Sequence, residues 1–513
     1  MKYLLVLFLI VSCDSFSQIT GIVKDKSTNE PIIGAKIIAS NNSKALSSVE
    51  GTFTLSTQNT TFPITVVTSM IGYENDTTII NNPQFITILL TEPFQTIETV
   101  VVTAGRRSQD IEEVPISMEI LRPELIDNKG ITDLEQAVNQ SPGVYAMDGQ
   151  VSIRGGSGFS YGAGSRVMLL WNGMPLLSGE AGDTKWNAVP MENASQIEIL
   201  KGASSVLYGS GALNGIISLT EREPGLKGEV RAKYQFGIYD SPKRESLKWW
   251  SKSPTFHMIE GYYGKMYKKV GFTISANGFT SDGFRQGETE ERGRVSGTFY
   301  FKPEKIKRLK AGIGYNLQFQ ETGNFIIWQS DSLGYTPSGG ADVTDSNSTL
   351  SKYRGTRFSI DPYVKYIDKY NNKHSLKTRY FYTDNINVFN PAQSNQGGVS
   401  FGDYQFQRLT RFGTSLTTGL TAIHTTVTSN LFGNHYSFNG AVYLQLEQKL
   451  YEKLDLTGGV RLEYFEQDRK TGDSDFYFGK DSTKLPVYPV LRGGLHYEVF
   501  KYTHLRVSYG QGI

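Results

Sequence analysis

The stretch Ile197–Arg222, "IEILKGASSVLYGSGALNGIISLTER", places glycine-rich turns between two apolar runs. Its "GSGALNG" portion, which starts at Gly209, misses the spacing of a dinucleotide-binding loop by one residue and follows a helix-like piece. Gly202, Gly209 and Gly211 therefore favour tight turns, because glycine adopts backbone conformations that other residues avoid. The pattern predicts a turn-rich structural element and no nucleotide site.

A second glycine-rich block lies upstream, at Val151–Gly179, and reads "VSIRGGSGFSYGAGSRVMLLWNGMPLLSG". The region around both blocks, Val114–Glu221, mixes strands with one or two helices. Its clearest helical piece is "ITDLEQAVNQ", in which Leu134 and Val138 are spaced i,i+4. We therefore expect an α+β domain here.

Both blocks resemble the plug domain of TonB-dependent outer-membrane receptors, in its "IRG" strand, its "LxNGxPL" hairpin and its "IEILKGxxSxLYGSGAxxGxI" segment. The resemblance implies a plug domain, residues 105–223, that blocks the lumen of a β-barrel. It implies structural roles for two arginines, expected to be buried and paired in a charged lumen, and for four glycines in tight turns. These residues are Arg154, Arg166, Gly155, Gly202, Gly209 and Gly211.

The same resemblance implies that two plug loops face the external ligand. They are the loops around Leu177 and Ser178 and around Trp186 and Asn187. Trp186 offers a flat apolar contact surface. An equally strong alternative is that Trp186 packs against the barrel wall.

The segment "IETVVVTA", Ile97–Ala104, here called the Val-rich segment, resembles the TonB box, which precedes the plug and is exposed to the periplasm. An extended, unpaired strand can add to the sheet edge of a partner through main-chain hydrogen bonds. The alternative is a last strand of the preceding domain or an ordinary plug strand, but Pro93 breaks the chain before the segment. The expected contacts to TonB are Glu98, Thr99, Val100, Val101, Val102 and Thr103.

The first part of the chain contains short alternating runs separated by turn residues, which predict a small β-sandwich: "ITGIVKD", "AKIIAS", "GTFTLS" and "FPITVVTSMIGY". The stretches "EPIIGAKI", "SVEGTFTL" and "IGY" resemble the carboxypeptidase-regulatory-like domain of exported Bacteroidetes proteins. This resemblance covers residues 18–92, followed by a linker at 93–104. It implies a transthyretin-like accessory module without peptidase chemistry.

The N-terminus is typical of an export signal, with a basic residue at Lys2 and an apolar run from Leu4 to Val11. We favour a signal peptide over residues 1–17 that is cleaved before Gln18, and the alternative is a lipobox that ends at Cys13. No later segment has 18 consecutive apolar residues, so no transmembrane helix is expected. An exported chain without such a helix can still occupy a membrane as a barrel.

From Pro224 onward the chain shows strands of about ten residues with strict alternation, as outer-membrane barrels do. In "RAKYQFGIY", the even-numbered residues from Ala232 to Ile238 form an apolar face, and "LDLTGGVRLEY" alternates in the same way. Short connections such as "KYNNKH" and "YEKL" alternate with long polar ones such as Gln329–Tyr353. The fold class is therefore mainly β, with roughly twelve or thirteen strands in residues 224–513.

Length predicts that this barrel is incomplete. A barrel that encloses a folded plug takes about 22 strands, or roughly 440 residues, whereas about 290 residues remain here. We therefore expect a C-terminally truncated chain, whose ending "YGQGI" resembles the start of the family's "YGxGFRxP" strand. An open barrel would leave an unpaired strand edge in lipid.

Catalytic, metal and nucleic-acid sites are disfavoured. The 52 basic and 50 acidic residues form no basic patch, so no nucleic-acid partner is expected. "GFSYG", Gly158–Gly162, fits a nucleophile elbow, but a strand follows it where a helix is required. His424 and His435 do not form a zinc motif, and a solvated turn explains Asp473 and Asp475 better than a calcium loop does. We expect no enzyme activity, metal or cofactor.

The resemblance implies an active-transport receptor for an external small molecule, with a ferric siderophore or cobalamin as the leading substrates. Its implied partners are outer-membrane lipid and TonB, which ExbB and ExbD couple to the inner-membrane proton gradient. The N-terminal domain and Val-rich segment would then be periplasmic. Three alternatives stay open: a signal-transducing receptor, an adhesin-like binding protein and a nonfunctional fragment.

Overall fold

A computed structural model describes most of the chain: residues 18–26, 28–57, 60–70, 73–91, 100–111, 114–147, 149–156, 166–303, 306, 308–410, 413–431, 433–451, 453–468, 482–484, 486–500 and 503–512. The chain divides into two compact units, Met1–Val100 and Val101–Ile513. Several residues singled out by the sequence lie outside the described ranges: the signal peptide with Cys13, Pro93–Thr99, Gly158–Gly162, Asp473 and Asp475.

The first unit is a β-sandwich, as predicted. One sheet has the order β4-β1-β7 and the other the order β3-β2-β5-β6. The inward positions of the alternating strands, such as Ile19, Val23, Ile37 and Phe53, form the core between the sheets. The strands are β1 (Gln18–Asp25), β2 (Lys36–Ala39), β3 (Lys44–Leu46), β4 (Thr52–Ser56), β5 (Ile64–Ser69), β6 (Asp76–Ile80) and β7 (Phe85–Leu90).

The plug region is an α+β domain, again as predicted. Its strands and helices are β8 (Val100–Val101), β9 (Gln109–Asp110), β10 (Met118–Leu121), α1 (Pro123–Asn128), α2 (Leu134–Val138), β11 (Val144–Met147), β12 (Gln150–Ile153), β13 (Val167–Trp171), β14 (Met174–Pro175), β15 (Ala194–Leu200), α3 (Ser205–Tyr208) and β16 (Gly215–Glu221). Five strands form a sheet in the order β10-β15-β16-β13-β14, while β8 pairs with β9 and β11 with β12.

The hairpin β13–β14 is the predicted "LxNGxPL" element. Asn172 and Gly173 both have positive φ, 55° and 76°, as the two central residues of a type I′ turn require. All five residues of β13 are buried, because this strand lies inside the sheet and both of its faces are covered. The hairpin is therefore a rigid part of the plug core.

The third region is a wall of antiparallel strands, and the predicted number of strands is confirmed. Thirteen strands follow one another in chain order, and β28 pairs with β27 beside this path. They are β17 (Glu229–Ile238), β18 (Thr255–Tyr267), β19 (Val270–Ser281), β20 (Glu290–Phe301), β21 (Leu309–Asn324), β22 (Ser351–Ile367), β23 (Lys373–Asn387), β24 (Asn395–Leu409), β25 (Thr414–Ser429), β26 (Gly433–Leu450), β27 (Leu454–Asp468), β28 (Ser482–Lys484), β29 (Tyr488–Phe500) and β30 (Thr503–Gly510).

Apolar and polar side chains alternate along the wall strands as predicted, but many strands exceed the predicted length. In β17, Val230, Tyr234, Phe236 and Ile238 point outward and are exposed. The inward side chains of this strand, Arg231, Lys233 and Gln235, are polar and half-buried. Strands such as β26, with 18 residues, are longer than expected, because they continue with polar side chains beyond the apolar band that the alternation identifies.

No helix among the described residues is long and apolar enough to cross a bilayer.

Candidate functional site

The Val-rich segment is described from Val100 onward, and its main chain is bound to the plug. The amides of Val102 and Thr103 donate to the carboxylate of Glu198 on β15, with N–O distances of 3.1 and 2.8 Å. The Tyr208 hydroxyl donates to the Thr103 carbonyl at 2.8 Å. The expectation of an unpaired strand is therefore wrong for this part, because Glu198 occupies the Val102 and Thr103 amides. Val101 is fully buried, whereas the Val102 side chain is 44% exposed.

Glu198 is a buried carboxylate held by neutral donors. Besides the two amides, the side chain of Gln196 donates to it at 3.1 Å. Burial raises the pKa of Glu198, and the hydrogen bonds from the Thr103 and Val102 amides oppose this shift. The segment thus supplies hydrogen bonds that water would otherwise give to this carboxylate.

Arg106 fastens the chain after the Val-rich segment to the wall. Its guanidinium donates to Asp403 on β24 at 2.7 Å and to the Tyr443 hydroxyl on β26 at 2.8 Å. It also donates to the Leu207 carbonyl of the plug. The group lies over the rings of Tyr208 and Tyr443, 4.5 and 4.9 Å from the centroids, and therefore bridges plug and wall.

Further wall contacts surround the same point. Arg107 and Gln109 both donate to Glu447 on β26, at 2.6 and 3.0 Å. Arg492 on β29 donates to the Ala104 carbonyl at 3.2 Å. Residues 101–109 are thus held on one side by the plug and on the other by three wall strands.

The residues predicted to stabilise the plug divide into two groups. Arg154 and Arg166 are exposed, so the expectation that they are buried and paired is wrong. Arg154 has a left-handed backbone, and its side chain donates to the Lys201 carbonyl at 3.0 Å. A left-handed turn therefore directs this side chain along the plug surface.

The glycines mostly meet the expectation of special backbone geometry. Gly155 and Gly209 have φ of 67° and 90°, where other residues are strained. Gly202 is close to extended, with φ of 157°. Gly211 needs no positive φ, but an added Cβ would lie 2.9 Å from the Met168 side chain, so its requirement is space.

The two predicted ligand-facing loops differ in exposure. Trp186 is 5% exposed and its indole nitrogen donates to the Gly149 carbonyl at 3.0 Å. It packs in the apolar cluster of the plug, which also includes Phe381 of β23. Ser178 is also buried, bonded to Asp183, while Leu177 is half-buried.

Asn187 lies where the plug contacts the wall. This contact is near the end of the wall strands from which the long connections leave. Its amide donates to Glu290 and Gln320, at 3.1 and 3.3 Å, and its oxygen accepts from Arg357. Asn187 is half-buried, and its side chain is fixed by polar partners on the wall.

The plug hairpin is held by cations on β23. Arg379 makes a bidentate pair with Asp361, at 2.8 and 2.6 Å, and also donates to the carbonyls of Met174 and Pro175 at 3.0 and 3.2 Å. Lys377 donates to the Asn172 carbonyl at 3.0 Å. The wall therefore binds the hairpin through its main chain.

Sequence reasoning did not find Glu198, Asp403 or Arg379. A usable signal existed for Glu198, which is a charged residue in the otherwise apolar "IEIL". Asp403 and Arg379 carry no such signal, because many inward positions of the wall strands are charged or polar. In the part of the chain that the structure describes, no group of three or more His, Cys, Asp and Glu side chains forms a metal site.

Comparison with protein-family models accounts for most of the chain. Residues 110–216 match the TonB-dependent receptor plug domain and residues 260–513 match the TonB-dependent receptor-like β-barrel. Residues 19–102 match the carboxypeptidase-regulatory-like domain.

The chain belongs to the TonB-dependent receptor family. Members of this family are transport receptors of the outer membrane. The TonB-dependent receptor described here is 30% identical to the vitamin B12 transporter BtuB of Vibrio vulnificus over 152 residues, which are 28% of this chain and 24% of the transporter. It is 32% identical to the ferrioxamine B receptor of Salmonella typhimurium over 151 residues, 28% of this chain and 20% of that receptor.

Solved structures of TonB-dependent receptors share the fold. The alcaligin outer-membrane receptor FauA of Bordetella pertussis superposes with a TM-score of 0.58 at 13% identity, covering 78% of this chain and 63% of FauA. The ferric citrate transporter FecA gives a TM-score of 0.57 at 16% identity, covering 76% of this chain and 62% of FecA. The chain thus spans less than two thirds of the length of these relatives.

Proposed function

We propose that this protein is an outer-membrane receptor that takes up a scarce small molecule by TonB-driven active transport. The observation that carries the proposal is the double attachment of residues 101–109. Glu198 holds this stretch on the plug, and Asp403 holds it on the wall through Arg106. A force applied to the Val-rich segment would therefore act directly on the contact between the plug and the wall.

The substrate we propose is a ferric siderophore or cobalamin. Support comes from the relatives, which include a vitamin B12 transporter and a ferrioxamine B receptor. The loops at Leu177–Ser178 and Trp186–Asn187 are the proposed ligand side of the plug. Asn187 is the best placed of them, because it is partly exposed and connects directly to three wall strands.

TonB, coupled to the proton gradient by ExbB and ExbD, is the proposed periplasmic partner. Residues Glu98–Thr103 are the proposed contact, and Glu98 and Thr99 lie outside the described residues. Pairing through the main chain requires that Glu198 release the Val102 and Thr103 amides first, because one N–H cannot serve both acceptors fully.

Uptake of radiolabelled cyanocobalamin and iron-loaded ferrioxamine B by cells that express the full chain tests this function. We expect TonB-dependent uptake of one of the two. Val102→Pro removes an amide and blocks strand pairing, so uptake should fall by about tenfold or more. Val102→Ala is the matched control and should keep most of the uptake.

Two results would contradict the proposal. Equal uptake by cells with and without TonB would remove the energy source that we assign. Surface binding of a labelled ligand without any uptake would instead favour the adhesin-like or signal-transducing role.

A further inference from the structure

The outward face of the wall carries a groove over β17–β22, with a cavity volume of about 660 Å³. Ile259, Gly278, Gly293 and Phe319 lie directly opposite one another on four neighbouring strands. At this level the outward side chains are therefore large on β18 and β21, whereas β19 and β20 carry no side chain. The two adjacent glycines form the floor between the side chains of Ile259 and Phe319, and the Ile259 side chain leans over Gly278, 3.1 Å from the position of an added Cβ atom.

The floor continues along the strands toward the middle of the wall. At the next outward level, Gly261 lies opposite Ala276. A Cβ atom added at Gly261 or Gly293 would meet no other atom within 4 Å. The walls, in contrast, are large and exposed, with Tyr234 at 65%, Ile259 at 64% and Phe319 at 57%. Val295, which is 43% exposed, lies opposite Ala276 at this level, so the apolar slot runs diagonally, from Gly278 and Gly293 to Gly261 and Ala276.

One end of the slot is polar. The outward level beyond the glycines contains Glu291, Glu321 and Arg354, again in direct register. Glu321 is bound by Lys352 at 2.5 Å and by Arg354 at 3.2 Å. Two cations therefore share one carboxylate, and the Arg354 side chain is 65% exposed. This level marks the upper limit of the apolar band on these strands.

We propose that this groove is a binding site for one membrane lipid, with an acyl chain on Gly278 and Gly293 and a polar head group beside Arg354, at a level where the carboxylates of Glu291 and Glu321 balance the two cations. The inference rests on the proposed membrane location but not on transport. Continuity with the apolar band favours an acyl chain, which is thin enough to lie on adjacent glycines. The ridged side-chain surface of a second copy would be stopped by Tyr234 and Phe319.

Native mass spectrometry of the full chain, extracted from its membrane in mild detergent, tests the proposal. We expect one retained lipid on the unmodified protein. Gly278→Leu with Gly293→Leu fills the floor and should lower lipid occupancy by about tenfold, the loss expected when roughly two CH₂ groups can no longer be buried. Gly402→Leu is the matched control, because Gly402 also faces outward on β24 with nothing within 4 Å of an added Cβ. This control should retain the lipid.

A second variant keeps the test valid if the double leucine variant fails to fold. Arg354→Ala removes an exposed side chain and its ion pair with Glu321. Measured in the same way, it should lower lipid occupancy, because the head group loses a hydrogen-bond donor. Heat-dependent gel mobility checks the folding of each variant.

Three outcomes would contradict the proposed lipid site. The first is no retained lipid on the unmodified protein, and the second is retention that the leucines leave unchanged. The third is a dimer that the leucines dissociate, which would identify a second copy as the occupant. Normal ligand uptake together with any of these would leave the transport proposal intact, whereas absence of the chain from the membrane fraction would remove the location on which both depend.

Discussion

The two attachments of the plug to the wall are built on different principles. The hairpin β13–β14 belongs to a five-stranded sheet, and Arg379 and Lys377 bind its carbonyls. Residues 101–109 have little regular structure and depend on individual side chains, chiefly Glu198 and Arg106. The first attachment can be lost only with the plug core, whereas the second can be released alone.

The largest effect is expected at Arg379. Arg379→Met leaves Asp361 buried without its partner, which costs ~3–5 kcal/mol, and it also leaves two hairpin carbonyls without donors. Hydrogen exchange at residues 167–175 should rise sharply. Arg379→Lys keeps the charge but not the planar fork, so we expect an intermediate effect. Unchanged hydrogen exchange at residues 167–175 in Arg379→Met would contradict the proposal that the hairpin attachment is part of the plug core.

The next largest effect is expected at the pair of Arg106 and Asp403. Their side chains are 8% and 5% exposed, so Asp403→Asn should weaken the attachment by ~3 kcal/mol. The release should be local, with faster exchange at residues 101–109 and no change at 167–175. If both regions loosened together, the independence of the two attachments would be refuted.

A smaller effect, which depends on pH, is expected at Glu198. Burial raises the pKa of Glu198, while the hydrogen bonds from the Thr103 and Val102 amides lower it. Because those amides favour the ionised carboxylate, their contribution to docking is present while Glu198 is ionised and is lost as pH falls and the group takes up a proton. A spin label at Val102→Cys should therefore become more mobile as pH falls.

Two variants serve as controls for the pH effect. Glu198→Gln still accepts hydrogen bonds from the segment but cannot titrate, so label mobility should not depend on pH. Glu198→Ala removes the acceptor, at a cost of ~1–3 kcal/mol, and the label should be mobile at every pH. A pH dependence that persists in Glu198→Gln would assign the titration to another group.

The smallest effect is expected at Gly209, beside the Tyr208 contact to the segment. With φ of 90°, Gly209→Ala should cost ~1 kcal/mol. Gly211→Ala has an ordinary backbone and displaces only the flexible end of Met168, so its cost should be lower. Thermal unfolding compares the stabilities of the two variants. A greater loss of stability in Gly211→Ala than in Gly209→Ala would contradict the backbone explanation for Gly209.

The fold was largely predictable because its signals are local. Alternation identified the sandwich and the wall, whereas the hairpin at Asn172 and Gly173 was predicted from the resemblance to the plug family, and its turn has the positive φ values that such a hairpin requires. Strand lengths were underestimated because the alternation continues with polar residues beyond the apolar band, as in β26.

The contacts of the site were less predictable because they join distant parts of the chain. Glu198 meets Val102 across 96 positions and Asp403 meets Arg106 across 297. No local pattern encodes which inward charge of a wall strand meets which plug residue. Arg154 shows the reverse error, since a family-level role suggested burial but a left-handed turn places its side chain in solvent.

Arg379 and Lys377 bind carbonyl oxygens of the hairpin, and this has a consequence for how its sequence can vary. Every amino acid provides the same carbonyl, so these bonds recognise the course of the hairpin, while the Arg379 guanidinium also lies over the ring of Trp171, 4.9 Å from its centroid. The hairpin sequence can therefore vary without loss of the anchor, provided that Trp171 and the tight turn at Asn172 and Gly173 persist.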